Sequence, residues 1–102
     1  MKVYEIRISM QADNDIENLH FYIFENCKSP ITAKRYIDGI FHQIKALSHS
    51  AESFPISANK FILQYGYNAR RINYKKMAII YTVHGKTVLI RRVIPGSLIT
   101  GI

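Results

Sequence analysis

The stretch Tyr67-Asn-Ala-Arg-Arg-Ile-Asn-Tyr-Lys-Lys-Met-Ala-Ile-Ile-Tyr-Thr-Val-His-Gly-Lys-Thr-Val-Leu-Ile-Arg-Arg-Val93 reads as three short strands. Its middle segment, Met77 to Val83, is almost wholly apolar and β-branched, the composition of a strand buried on both faces. In Val83-His-Gly-Lys-Thr87, Gly85 supplies the positive-φ residue of a tight hairpin. Pro95-Gly96 ends the last strand. The outer strands carry Arg70-Arg71 and Arg91-Arg92. Adjacent side chains of a strand point to opposite faces, so each pair is expected to place one guanidinium on each face. Which arginine of each pair is exposed depends on the register, which the pattern leaves open.

Upstream, Tyr4, Ile6 and Ile8 alternate with Val3, Glu5, Arg7 and Ser9, the period of a half-buried strand. Ser9 is placed to cap a helix over roughly Met10 to Asn26. Asp13, Asp15 and Glu17 crowd its first turns, where negative charge complements the helix dipole. Ala12, Ile16, Leu19 and Ile23 form one apolar face. Ser29-Pro30 then reads as an N-cap with proline at the first helical position. The second helix spans roughly Pro30 to Ser48, with Ala33, Ile37, Ile40, Ile44 and Leu47 as its core stripe. So short a connection predicts an antiparallel αα-hairpin. Residues 49–60 read as loop, with Phe54-Pro55 pinning it to the body of the domain, and Phe61 to Tyr65 fits a strand or a helical turn equally. The order is β-α-α-β-β-β: an α+β domain over residues 1–102, with a helical hairpin packed on a mostly antiparallel four-stranded twisted sheet.

Charge is divided unevenly along the chain. Residues 1–52 hold all seven acids and six basic residues, a net of −1. Residues 53–102 hold no acid and eight basic residues: Lys60, Arg70, Arg71, Lys75, Lys76, Lys86, Arg91 and Arg92. A sheet half at +8 fits a polyanionic partner, nucleic acid or an acidic protein segment. Cys27 stands alone, so no disulfide framework or thiol metal site is expected. The N-terminus alternates rather than forming an apolar block, and no apolar run approaches the ~18 residues that span a bilayer. The expectation is a soluble cytoplasmic protein with no membrane partner.

Chemistry is sparse. His20, His42, His49 and His84 fall on different elements without ligand spacing, and there is no P-loop, dinucleotide fingerprint or nucleophile elbow. No metal or cofactor is expected. One enzymatic option remains open, RNA cleavage by the 2′-hydroxyl, which needs proton-transfer groups and cations on the phosphorane. Arg71, Tyr81, His84 and Arg92 are the candidates. Against them, Tyr81 sits in the most buried strand and His84 in a tight turn.

Taken in order, these residues resemble the ParE/RelE superfamily of bacterial toxin–antitoxin modules. The resemblance rests on the first strand followed by Ala12-x-x-Asp15-Ile16-x-x-Leu19-x-x-Tyr22-Ile23, on Ser29-Pro30-x-x-Ala33-x-x-Tyr36-Ile37, on Ile44-x-x-Leu47 and Phe54-Pro55, and on Arg70 to Val93. It implies a toxin bound and neutralised by an acidic antitoxin in a hetero-oligomer. ParE-like members act on DNA gyrase, and RelE-like members are ribosome-dependent mRNA endonucleases. The long helical hairpin, and the lack of a His or Tyr after Arg92, lean to the ParE branch. That implies Arg70, Arg71, Lys75, Lys76, Lys86, Arg91 and Arg92 as residues contacting target or antitoxin. Many relatives carry a further basic segment after the last strand, where this chain has Ile94-Pro95-Gly96-Ser97-Leu98. A non-toxic module that still binds an antitoxin therefore stands as a third reading.

Overall fold

The computed structural model describes residues 3–99. The order is β1 (Glu5–Ile8), α1 (Met10–Cys27), α2 (Pro30–Ser50), a 3-10 turn (Ala51–Ser53), α3 (Lys60–Leu63), β2 (Arg70–Tyr74), β3 (Met77–His84), β4 (Thr87–Pro95) and a closing 3-10 turn (Gly96–Leu98). The strands form one sheet in the order β1-β4-β3-β2; β1 runs parallel to β4 and the other pairings are antiparallel.

Local signals set the helix ends. The Ser9 hydroxyl accepts the Ala12 amide at 3.0 Å and donates to the Arg91 carbonyl at 3.1 Å, so one side chain caps α1 and ties it to β4. Ser29 accepts the Thr32 amide at 3.2 Å, with Pro30 in the first turn of α2. The hairpin lays Ala12, Ile16, Ile40, Ile44 and Leu47 on Ile72, Met77, Ile79, Tyr81, Val88, Ile90 and Val93 of the sheet. Gly39 of α2 is needed for this contact, because a Cβ there would lie 2.0 Å from the Tyr74 hydroxyl.

Three readings of the sequence are resolved or corrected. Phe61 to Tyr65 begins as a helical turn, capped by the Asn59 side chain on the Ile62 amide. This short helix lies on the face of the sheet away from the hairpin, where Ile62 and Ala69 pack with Ile80 and Ile94 as a second small core. The preceding loop is pinned by backbone rather than by the Phe54 ring, which is 37% exposed. Ile56 bridges Arg70, Ser57 donates its amide to Ala69, and the Arg70 guanidinium donates to the Glu52 and Phe54 carbonyls.

The third concerns the arginines. Arg70 and Arg71 do straddle the sheet, standing opposite Tyr81 and Ile80 in the regular β2–β3 ladder. Arg91 and Arg92 do not. The β3–β4 register shifts between Ile80 and Tyr81, so that Tyr81 faces Ile90 and Ile80 faces Arg92. Ile90 and Val93 both enter the hairpin-side core, three positions apart. The bulge therefore carries both intervening arginines away from that core.

Candidate binding groove

An open groove of about 1020 Å³ runs between α1 and the end of β4 that projects beyond β1. Leu19, Tyr22 and Ile23 of α1, Tyr36 of α2, and Met77, Val93, Ile94 and Leu98 give it apolar walls. Arg71, Lys75, Lys76 and Arg92 supply its cations, and Asp15 is the only carboxylate among the lining residues. Tyr22 and Leu98 are 65% and 55% exposed, large apolar surface left uncovered beside positive charge.

Each cation is held differently. The Arg92 guanidinium donates through Nε to Asp15 Oδ2 at 2.7 Å and through Nη2 to Oδ1 at 3.0 Å, a bidentate pair. Its Nη1 donates to the Tyr65 hydroxyl at 3.2 Å. The Asp15 carboxylate also accepts the Val93 amide at 3.0 Å. The bond to Asp15 raises the Arg92 pKa, so its charge is fixed but already answered. Arg71 is freer: its Nε donates to Asn73 Oδ1 at 2.9 Å, and a Cβ on Gly96 would come within 3.3 Å of its Nη2. Lys75 sits in the two-residue turn between β2 and β3 with a φ of 53°, unusual for a residue with a side chain. Its ammonium lies 5.3 Å and 5.5 Å from the Tyr36 and Tyr74 ring centres. Burial raises the Tyr36 pKa, keeping that hydroxyl neutral beside the lysine. Gly96 donates its amide to the Lys76 carbonyl at 2.8 Å, so the Ile94-Pro95-Gly96-Ser97-Leu98 segment forms one end of the groove.

The remaining candidates lie elsewhere. Arg70 is turned to the hairpin side and engaged with loop carbonyls. Tyr81 is fully buried, its hydroxyl donating to the Ala51 carbonyl at 2.6 Å, and burial pushes its pKa up to about 12. His84 and Arg91 share the buried Thr82 hydroxyl, at 2.8 Å from Nε2 and 3.1 Å from Nε, on the opposite face of the sheet; Lys86 is exposed on the adjoining hairpin. Arg71, Tyr81, His84 and Arg92 thus do not converge on one point. Among the described residues no group of three or more His, Cys, Asp or Glu is placed to hold a metal, and no helix is long and apolar enough to cross a membrane.

Two parts of the groove escape a reading of the sequence. Asp15 reads as a helix-dipole residue, but its partner lies 77 positions away. Tyr36 and Leu98 carry no local signal of a shared surface.

Residues 6–98 match the family described as ParE toxin of type II toxin-antitoxin system, parDE. The chain belongs to the ParE toxin family. Among solved structures, this ParE-family chain is similar to one from the chromosomal ParDE system of P. aeruginosa, with a TM-score of 0.74 at 16% identity over 91% of this chain and 96% of that one. It is also similar to a chain of the RelBE2 toxin-antitoxin complex from Mycobacterium tuberculosis, with a TM-score of 0.55 at 17% identity over 91% of this chain and 98% of that one. At such identities the likeness is one of fold. No curated protein matches the sequence significantly.

Proposed function

We propose that this ParE-family toxin works by binding rather than by bond cleavage: it inhibits growth through DNA gyrase, and an antitoxin neutralises it by laying an acidic, apolar segment in the groove. The observation that carries the antitoxin part is the groove itself, with exposed Tyr22 and Leu98 beside Arg71, Lys75 and Lys76 and with its one carboxylate already paired. An extended acidic segment gains charge-assisted contacts at the rim and buries its apolar residues against the walls. The scatter of Arg71, Tyr81, His84 and Arg92 supports a non-cleaving toxin. Membership of the ParE toxin family supports gyrase as the target in this reading.

The test is to induce the chain in a cell without antitoxin and follow thymidine and amino-acid incorporation. Early loss of DNA synthesis with translation intact is the expected result. Early loss of protein synthesis would favour the mRNA endonuclease reading. No effect from a folded protein would make it a non-toxic antitoxin-binding module.

A further inference from the structure

Away from the groove, one buried hydroxyl organises two basic side chains on the sheet face opposite the hairpin. Arg91 Nε donates to Thr82 Oγ1 at 3.1 Å, and His84 Nε2 lies 2.8 Å from the same oxygen. Thr82 is fully buried. Its oxygen accepts from Arg91, and among the described residues the His84 ring nitrogen is the only acceptor bonded to its proton. In its neutral form the ring then carries its own proton on Nδ1, the nitrogen away from Thr82. The Arg92 fork is answered by Asp15 and Tyr65, and Arg70 by two loop carbonyls. Neither Nη of Arg91 has an acceptor among the described residues. More positive charge lies around it. Thr82 of β3 and Arg7 of β1 both pair in register with Leu89 of β4, two positions before Arg91 on the same face. Lys86 is exposed in the β3–β4 turn, next to His84. Glu5 is the one acid among the strand residues, and Arg7 donates to it at 3.1 Å.

We propose that the Arg91 fork and His84 Nδ1 hold a backbone phosphate of a nucleic acid lying across this sheet face, with Arg7 and Lys86 meeting neighbouring phosphates. Thr82 fixes Arg91 through Nε, so the guanidinium presents its two Nη groups end-on, and little side-chain freedom is lost on binding. A ring N–H from the adjacent strand adds a donor outside that fork. Such a set suits the tetrahedral oxygens of a phosphate better than a planar carboxylate. The surroundings select the same ligand. Between these cations the surface consists of Thr82, Thr87 and the half-buried Leu89, without the exposed apolar walls of the groove. An acidic peptide would find nothing here for its apolar residues, whereas a nucleic-acid backbone needs only charge and polar donors.

The test uses the purified full chain, free of antitoxin, and a short labelled DNA duplex of arbitrary sequence, with affinity read by fluorescence anisotropy over a range of salt. For the wild type, log affinity should fall linearly with log salt. Arg91→Gln removes one phosphate contact and should make that slope shallower by about one. Lys45→Gln, the same charge change on the exposed surface of α2 in the helical layer, should leave the slope as in the wild type. Thr82→Val keeps every charge but releases the fork and the ring, and should weaken binding severalfold with little change in slope. Circular dichroism should show each variant folded. A slope unchanged by Arg91→Gln, an equal effect of Lys45→Gln, or full affinity in Thr82→Val would each overturn the proposal. The His84 ring signals, followed by NMR, separate the sources of negative charge. The duplex should shift them in the wild type and not in Arg91→Gln. A shift produced only by inorganic phosphate, or only by polyglutamate, would point to a free ion or to an acidic protein segment and would equally overturn it.

Discussion

The two arginine pairs look alike in sequence and are used differently. Arg70-Arg71 lies in a regular ladder, so alternation sends one guanidinium to the loop carbonyls on the hairpin side and the other to the groove. Arg91-Arg92 lies at a bulge, so both leave the hairpin-side core; one shares Thr82 with His84 and the other clamps Asp15. One pair divides structure from surface, while the other gives both members structural partners. Doublets of the same cation therefore say little about binding until the ladder around them is known.

The comparison is tested hardest at Asp15. Asp15→Ala leaves the Arg92 guanidinium, whose side chain is 27% exposed, and the Val93 amide without their acceptor. Loss of that partly buried pair is expected to lower stability by about 2–3 kcal/mol in urea unfolding. A change under ~0.5 kcal/mol, within the range of ordinary surface substitutions, would show that the clamp holds nothing.

Arg70→Ala should cost less, about 1 kcal/mol, by freeing the Glu52 and Phe54 carbonyls to water. It should also leave a trace in titration. Burial raises the Tyr81 pKa to about 12 from 10.0, while the charge of Arg70 pulls it the other way. The folded state keeps this proton to higher pH than the unfolded chain does. Its contribution to stability is therefore full below about pH 10 and is lost as pH rises toward about 12. Without Arg70, ultraviolet titration should find Tyr81 ionising at still higher pH.

Arg71→Ala should have the smallest effect on folding, within ~0.5 kcal/mol, because its one bond is to an exposed neighbour. Its effect should fall on binding, measured calorimetrically with the antitoxin. Unchanged affinity would remove Arg71 from the proposed contact surface.

What could be read from the sequence was local. The apolar run Met77 to Val83, the Ser9 and Ser29 caps, the two helical stripes and the Gly85 turn each announce themselves within a few residues, and together they impose the architecture. The bulge does not, since Ile90-Arg91-Arg92-Val93 differs from a regular strand only in which partner each residue finds. Nor does the second small core: Phe61 to Tyr65 is too short for periodicity to decide, and its burial depends on Ile80 and Ile94 beneath it. The groove is the least local feature, assembled from α1, α2, the β2–β3 turn and the end of β4.

Asp15 and Pro95 have a further consequence for how this protein survives crowding. Past Ile90, β4 outruns β1 and becomes a sheet border on its α1 side. The outward amide of Val93 is already taken by Asp15, and Pro95, next in the alternation, has no amide to offer. A fibril grows by strands that donate and accept in turn. This border can only accept, so an apolar chain end stacking against it finds no repeating ladder, and the long hydrophobic strand next to it is shielded from cross-β growth on that side.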